Sequence, residues 1–257
     1  MIHHSAIVHP NANVHKTADI GPYCVVGKDV TVGANASLLA HVVVTGRTTI
    51  GEDTVIHSFA TVGAPSQDRK AEEGEVAHTT IGARCVIREY CSIHRGSADA
   101  GGVTSIGDDC LLLAYTHVAH NCRVGNHVTM SNLAQLAGHV VVEDHASIGA
   151  MAGVHQFVRI GRYAFVGGYA KLPKDLPPFM LADGNPPAVL GPNLVGLRRA
   201  GFSRESIAEL KEAYKAIYQS ENNVSRAVAA LGETVQTPEG RTLVEFLQTP
   251  SERGILK

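Results

Sequence analysis

Two histidines three residues apart, in the segment Thr116-His117-Val118-Ala119-His120-Asn121-Cys122, are the side chains best suited to acid–base chemistry in this chain. A neutral imidazole with an ordinary pKa near 6.5 can accept a proton from a hydroxyl group at about neutral pH. Gly138 and His139 follow His120 and Asn121 at an interval of eighteen residues. The alternative interpretation is that these histidines are ordinary residues of a solvated polar surface.

The elements that would position these residues repeat every six positions. From residue 106 to residue 172 an aliphatic residue or a methionine opens every hexad, and a small or β-branched residue follows four positions after nearly every opener. A period of six fits neither an α-helix nor a plain half-buried strand. It is typical of the hexapeptide repeat of a parallel β-helix. The openers of this run are Ile106, Leu112, Val118, Val124, Met130, Leu136, Val142, Ile148, Val154, Ile160, Val166 and Leu172.

Two earlier runs of hexads, from Ile2 to Val62 and from Ile81 to Ile93, extend the pattern to the N-terminus. Three hexads make one coil of a triangular prism, so residues eighteen apart stack at the ordinary strand spacing of about 4.8 Å. Stacking places Gly138 over His120 and His139 over Asn121. His155 and Gln156 are expected near the same edge, one coil further on.

Composition excludes several functional classes. With a net charge of −2 and no run of Lys or Arg, the chain of 257 residues does not fit a nucleic-acid partner. No apolar stretch approaches the roughly 20 residues of a membrane span, so no integral membrane segment is expected. Residues 1–13 contain neither a basic region nor an apolar core of an export signal, which predicts a cytoplasmic protein.

The five cysteines all lie at the small position four residues after an opener. A free cysteine behaves there as a small buried hydrophobic residue. Because the chain has no C-x-x-C pair, neither disulfides nor a zinc site is expected from them. These cysteines are Cys24, Cys85, Cys91, Cys110 and Cys122.

Breaks in the hexads divide the chain. Residues 1–190 are predicted to form the β-helix, with loops at 63–80 and 97–105, and residues 191–257 an α-helical domain. The first loop contains Asp68, Arg69 and Lys70, which are either binding residues or part of a solvated charged loop. The second loop, Ser97 to Ser105, is rich in Gly and Ala and is expected to be mobile.

The helical part is recognised by its end signals. Gly201 should end a first short helix, Ser203 should cap a second, and Thr237-Pro238 should begin a further one. These helices are too short to be stable alone, so they must pack on the prism or on a partner chain.

Several segments resemble a known family over nearly the whole chain. The chain resembles the UDP-N-acetylglucosamine O-acyltransferases that open lipid A biosynthesis. The matching segments are Gln67-Asp68, Ile93-His94-Arg95-Gly96, Ala119-His120, Ala137-Gly138-His139, Val154-His155-Gln156-Phe157 and Gly201-Phe202-Ser203-Arg204-Glu205.

This resemblance implies an all-β left-handed parallel β-helix followed by a C-terminal α-helical domain, an exception to the right-handed crossover rule. It also implies a homotrimer with three sites between subunits, no cofactor and no metal. The reaction would transfer a 3-hydroxyacyl chain from acyl carrier protein to UDP-N-acetylglucosamine. His120 would be the general base and the backbone amide of Gly138 the oxyanion donor. The cleft would be lined by Asp68, Lys70, His94, His117, His139, Gln156, Asn193 and Arg199, with Asn121 and His155 in the same strip.

Three further positions follow from the resemblance. Gly168 corresponds to the position that sets acyl-chain length in the family. Asn121 stands where the family usually has an aspartate, and Val195 replaces an acid near the uridine end. Asn121 leaves the general base without the usual charged partner. Val195 removes an acid that the family uses near the uridine.

The chemistry needs only a base and a fixed donor. The sugar hydroxyl attacks a thioester, and a fixed N–H donor is worth roughly 3 kcal/mol to the resulting oxyanion. No Ser or Cys nucleophile is required, which predicts direct transfer. Because acyl carrier proteins are acidic, a basic landing strip is expected on the late coils, from Arg159, Arg162, Lys171 and Lys174.

Three alternatives stay open at this point. A related N-acyltransferase of the same pathway would share the hexads but normally carries an additional N-terminal domain. A γ-class carbonic anhydrase would hold zinc with three histidines, such as His94, His117 and His120. A non-enzymatic solenoid scaffold would leave the clustered His, Gln and Arg unexplained.

Overall fold

The computed structural model describes residues 1–69, 76–98, 101–220 and 223–257. Short parallel strands form a left-handed β-helix with three faces, as predicted. Face 1 contains β1 Ile7–Val8, β4 Val25–Val26, β7 Val43–Val44, β10 Thr61–Ala64, β13 Ser92–His94, β16 His117–Val118, β19 Gln135–Leu136, β22 Gly153–Val154 and β25 Lys171–Leu172. Face 2 contains β2 Asn13–Val14, β5 Thr31–Val32, β8 Arg47–Ile50, β11 His78–Ile81, β14 Val103–Ile106, β17 Arg123–Val124, β20 Val141–Val142 and β23 Arg159–Ile160. Face 3 contains β3 Asp19–Ile20, β6 Ser37–Leu38, β9 Val55–Ile56, β12 Val86–Ile87, β15 Leu111–Leu112, β18 Thr129–Met130, β21 Ser147–Ile148, β24 Phe165–Val166, β26 Met180–Gly184 and β27 Pro187–Pro192.

The openers form the core of the prism. Val118 pairs with Leu136, and Leu136 with Val154, so the register steps by eighteen residues wherever no loop intervenes. The side chains of Leu112 and Leu136 are fully buried. Burial of these apolar columns is the main driving force for stacking, since each coil contacts only its neighbours.

The corners of the prism are formed largely by residues other than glycine. Non-glycine residues adopt the left-handed conformation there, for example Asn121, His139 and Phe157 with φ of 59°, 61° and 67°. Eleven glycines of the prism instead directly follow an opener, where coils approach closely. A Cβ at Gly51 would lie 2.4 Å from the carbonyl of Gly82. Glycine is therefore needed for contact between coils rather than for a positive φ.

The small residues four positions after the openers are buried core residues. All five cysteines are among them, and each is buried and free, which confirms the interpretation of these residues as small hydrophobic side chains.

Both loops are shorter than predicted, because strands extend into them. β10 continues to Ala64, β11 begins at His78 and β14 begins at Val103, so both predicted loops contain strand residues at their ends. The polar residues of β11 and β14 led to the prediction of loops at these positions. However, Thr79 and Thr104 pair with each other and are fully buried, so the inward–outward alternation of the strands continues.

The C-terminal part contains α1 Leu194–Arg199, α2 Arg204–Tyr214, a π-helical turn Lys215–Gln219, α3 Val224–Thr234 and α4 Pro238–Gln248. The predicted caps are confirmed, because the hydroxyls of Ser203 and Thr237 accept from Ser206 N and Gly240 N. Helix α3, with Asn223 as its cap, was missed, although Val224, Ala227, Val228 and Leu231 have helical spacing. Helix α2 packs against β27 and α4.

The predicted division into residues 1–190 and 191–257 stays a prediction. No helix within the described ranges has the length and apolar character that crossing a bilayer requires.

Candidate active site

His120 lies at the corner between faces 1 and 2, where its Nδ1 is 2.8 Å from Oδ1 of Asn121. The same Oδ1 accepts the backbone N–H of Ser97 at 2.9 Å and the Ser97 hydroxyl at 2.8 Å. The Asn121 amide in turn donates to the Ser97 carbonyl at 3.0 Å. All three residues are buried, with exposed fractions of 8% for His120, 6% for Asn121 and 3% for Ser97.

These contacts determine the tautomer of His120. A backbone N–H can only donate, so the atom of Asn121 that faces Ser97 N must be the amide oxygen. Because His120 Nδ1 faces that same oxygen, Nδ1 must carry the proton. Nε2 of the neutral ring therefore has a free lone pair, which a general base requires.

Gly138 lies against the imidazole of His120, as the eighteen-residue stacking predicts. A Cβ at Gly138 would be 2.5 Å from His120 Nε2, so any side chain there would collide with the ring. Within the described part of the chain, the Gly138 N–H donates to no protein acceptor. A backbone donor thus lies next to the nitrogen that would act as the base.

Asp68, from the first loop, approaches the other side of the site. Its Oδ2 is 3.8 Å from His120 Nε2, a separation that becomes an ion pair only if the imidazole is protonated. Asp68 is thus placed to interact with an imidazolium formed during a reaction. Lys70 lies outside the described residues.

His94 and His117 form a second pair of imidazoles beside His120. Their ring centroids are 4.9 Å apart in an edge-to-face arrangement, and Ser92 Oγ is 2.7 Å from His117 Nδ1. Burial lowers the pKa of His94 to about 4, and the neighbouring His117 and His120 lower it in the same direction. Burial is also the main reason that the pKa of His117 is lowered. Both rings are therefore neutral near pH 7, which keeps positive charge away from the base.

His139 and Gln156 occupy the same corner on successive coils. The ring of His139 is edge-to-face with that of His120 at 5.0 Å and stacks on Phe157 at 4.7 Å. Gln156 follows Gly138 by one coil, since Phe157 N donates to Gly138 O. His155 is predicted to lie in the same strip. Its side chain is exposed and contacts the guanidinium of Arg253, from the C-terminal segment.

Three predicted residues lie elsewhere in the chain. Gly168 lies in the corner between faces 3 and 1, next to Ala150. Asn193 caps α1: its Oδ1 accepts from Gly196 N and its Nδ2 donates to the carbonyl of Tyr163, in the corner between faces 2 and 3. Arg199 is exposed at the end of α1.

The predicted basic strip on the late coils is not a single surface. Arg159 lies on face 2, bonds to the buried Asp175 at 2.7 Å and lies over the ring of Phe246. Arg162 pairs with Asp144 near the corner between faces 2 and 3. Lys171 lies on face 1 instead, because consecutive hexads point to different faces.

Ser97 and Thr104 are site residues that the sequence did not predict. The segment 97–105 is expected to be mobile from its Gly and Ala content, yet Ser97 is buried and holds Asn121. Thr104, also in that segment, accepts from Asn121 N at 2.8 Å. Neither lies at a multiple of eighteen residues from His120, because the loop breaks the period, so no repeat signal could have found them.

Comparisons with known proteins bear on what this arrangement does. A family model described as UDP-N-acetylglucosamine O-acyltransferase, domain 2, matches residues 175–256. The acyl-[acyl-carrier-protein]–UDP-N-acetylglucosamine O-acyltransferase of Verminephrobacter eiseniae is 48% identical over 191 residues, which cover 74% of this chain and 72% of the relative. This chain belongs to the UDP-N-acetylglucosamine O-acyltransferase family.

Solved structures agree with that assignment over the full length. LpxA from Acinetobacter baumannii matches with a TM-score of 0.97 and 41% identity, covering 100% of this chain and 99% of that one. The UDP-N-acetylglucosamine acyltransferase of Francisella novicida matches with a TM-score of 0.97 and 35% identity, covering 100% and 94%.

Membership in the UDP-N-acetylglucosamine O-acyltransferase family decides between the alternatives that the sequence left open. The chain is an acyltransferase, and the carbonic anhydrase and scaffold interpretations are wrong. The described residues contain no group of three His, Cys, Asp or Glu that could hold a metal ion.

Proposed function

We propose that this protein transfers a 3-hydroxyacyl chain from acyl carrier protein to the 3-hydroxyl of UDP-N-acetylglucosamine, the first step of lipid A biosynthesis. The observation that carries the proposal is the pairing of a free His120 Nε2 lone pair with the adjacent Gly138 N–H. The names of the curated relatives supply both substrates, and the contacts of His120, Asn121 and Gly138 supply the chemical groups.

In the proposed mechanism, His120 Nε2 accepts the proton of the sugar hydroxyl as its oxygen attacks the thioester carbon. The carbonyl oxygen becomes an oxyanion, which the Gly138 N–H stabilises. When the intermediate collapses, the C–S bond breaks and the leaving thiolate takes the proton from the imidazolium. No covalent enzyme intermediate forms, and His120 returns to its neutral form at the end of each cycle.

The surroundings of His120 fit this cycle. Asn121 holds Nδ1–H without adding charge, which leaves Nε2 to act as the base. Asp68, at 3.8 Å, approaches the nitrogen that becomes protonated and stabilises the imidazolium when it forms. A charge so placed favours the state after proton transfer, where it reduces the barrier.

The homotrimer, with its sites between subunits, is also part of the proposal. An apolar ridge runs along the corner between faces 3 and 1, with Tyr90 and Tyr115 stacked at 4.7 Å and Tyr115 51% exposed. An exposed apolar ridge of this length suits contact between protein chains. The ridge comprises Tyr23, His41, Phe59, Tyr90, Tyr115, Leu133, Met151 and Tyr169.

A second observation supports shared sites. Within one chain His120, Gly168 and Asn193 lie at three different corners, whereas the family resemblance assigns all three to one cleft. Adjacent copies can bring different corners together. We propose a cytoplasmic location as well, which the five free thiols support, because disulfides form mainly in oxidising compartments.

The experiment that tests the proposed function uses the purified protein with UDP-N-acetylglucosamine and a series of 3-hydroxyacyl carrier proteins. Mass spectrometry should show a product heavier by one hydroxyacyl group, and base-labile release should identify an ester rather than an amide. His120→Ala should lower the rate about 10²–10⁴-fold, the usual effect of losing a general base. An unmodified nucleotide sugar with every donor would contradict the proposal.

A further inference from the structure

Gly153 is a glycine that neither the backbone nor the packing of this chain requires. It begins β22 on face 1, its φ is not in the left-handed region, and a Cβ added to it would meet no heavy atom within 4 Å. Glycine inside a strand is unfavourable relative to alanine. The missing side chain therefore needs an explanation outside the local fold.

The other glycines of the prism have less space than Gly153 for an added Cβ. Among those described with an ordinary φ, every one except Gly153 and Gly168 would place a Cβ 3.3 Å or less from a neighbouring atom. At Gly168 the nearest atom, the carbonyl oxygen of Ala150, is at 3.4 Å, an ordinary contact distance. Among the described glycines of the prism with an ordinary φ, only Gly153 and Gly168 therefore have room for a side chain.

Gly153 lies in the floor of a groove of about 370 Å³ on face 1. Two side chains beside it are directed away from the gap: the Gln135 amide donates to the carbonyls of Tyr115 and Leu133, and His155 contacts Arg253. The groove is lined by His117, Gln135, Leu136, Ala137, Gly153, Val154, His155 and Lys171.

The groove begins at the active site. Along face 1 the outward residues are His117, Gln135, Gly153 and Lys171, in register on successive coils. His117 is in edge-to-face contact with His94 and interacts electrostatically with His120. At the other end, Lys171 follows Gly168 by three residues. A linear apolar ligand that starts at His120 would pass over Gly153 before it reaches the coil of Gly168.

We propose that Gly153 is a specificity-determining residue, whose missing side chain leaves room for the acyl chain of the donor midway along face 1. This inference rests on the proposed function and adds a position to it. A side chain at Gly153 should obstruct every chain long enough to reach it, whereas short hydroxyacyl groups would end before it. Each methylene displaced from the apolar groove weakens binding about fourfold.

The test measures kcat/KM of Gly153→Val with 3-hydroxyacyl carrier proteins of increasing chain length. We expect a loss of at least tenfold with the longest donors and less than about twofold with the shortest, since only long chains lose buried methylenes. Thr31→Val is the control, because Thr31 has the equivalent outward position on β5 of face 2, several coils away from His120. It should leave the profile of chain lengths unchanged.

The possible outcomes separate the explanations. An equal loss with all donors, or no change, would overturn the proposal. A variant that sediments at a smaller size than the wild type would also overturn it, because Gly153 would then serve subunit packing. If the wild-type protein acylates no nucleotide sugar with any donor, the proposed function fails instead, and that failure is visible before any variant is measured.

Discussion

The Oδ1 atom of Asn121 accepts the Nδ1–H of His120 at 2.8 Å while it also accepts two donors from Ser97. A neutral amide thus fixes the imidazole as a base without placing a negative charge behind it. The amide nitrogen is equally committed, because it donates to the Ser97 carbonyl. Both ends of the amide are used, so aspartate is not equivalent to asparagine in this chain.

Asn121→Asp should both change the pH dependence and lower the rate. A carboxylate beside His120 stabilises the imidazolium, so the acidic limb of the pH–rate profile should move to higher pH. The second carboxylate oxygen would face the Ser97 carbonyl in place of a donor, and the resulting repulsion should lower kcat as well. Rates from about pH 5 to 9 measure both effects.

Asn121→Ala serves as the uncharged comparison. It should lower kcat less than His120→Ala does and leave the acidic limb unmoved. Because alanine at a left-handed corner has its own cost of about 1 kcal/mol, His127→Ala at the exposed corner with φ of 56° corrects for it. A limb that stays in place in Asn121→Asp would show that the carboxylate is not coupled to the base.

Gly138→Ala should inactivate the enzyme with little change in stability. The new methyl group would lie 2.5 Å from His120 Nε2 and force the ring away, and a displacement of about 1 Å can cost on the order of 10²-fold in rate. The fold should survive, because the colliding atoms belong to a side chain. Initial rates and thermal unfolding together check this. A variant of near wild-type activity would contradict the stacking of Gly138 on the base.

Gly168→Met should shift donor preference towards shorter hydroxyacyl chains. The position tolerates a side chain within its own chain, since the nearest atom to an added Cβ is at 3.4 Å, so folding should be normal. Competition between donors of two lengths, read by mass spectrometry, gives the preference directly. Unchanged preference would place the length-determining position elsewhere.

The pH dependence of stability should contain a contribution from His94. Its pKa is about 4 in the folded protein and about 6.5 in an unfolded chain, so the unfolded state binds more protons between those values. Stability is therefore complete above about pH 6.5 and decreases as pH falls towards 4, by about 3 kcal/mol in all. His94→Gln should flatten this part of the curve, which urea titrations at several pH values measure. An unchanged slope would show that His94 does not titrate in this range.

Shared sites predict complementation between inactive chains. Co-assembly of His120→Ala and Arg199→Ala subunits in equal amounts should restore about one quarter of wild-type activity, because a quarter of sites then receive both native residues at random. Each variant assembled alone should stay inactive. If the mixture is no more active than its components, each site uses one chain only.

The sequence predicts the relative positions of those site residues that lie within the hexapeptide repeats. Because openers recur every six residues, the stacking of Gly138 on His120 and of His139 on Asn121 follows from counting alone. Ser97 and Asp68 come from segments that leave the prism. The interval of eighteen residues does not apply there, so it cannot predict which residues are neighbours. The left-handed corners were also not visible, since Tyr, His and Phe occupy them in place of glycine.

At the N-terminal end of the prism, β1 and β2 each pair with one strand only. The backbone of this first coil forms hydrogen bonds to the second coil, for example from Ile7 N to Cys24 O. The side chains of Met1, Ile2 and Ile7 are largely exposed. Helices and β27 cover the opposite end. In a nearest-neighbour assembly of this kind, opening begins at the uncovered terminus and proceeds coil by coil. Hydrogen exchange should therefore be fastest near Ile7, while the coils of His120, deep in the stack, open only when the molecule unfolds globally.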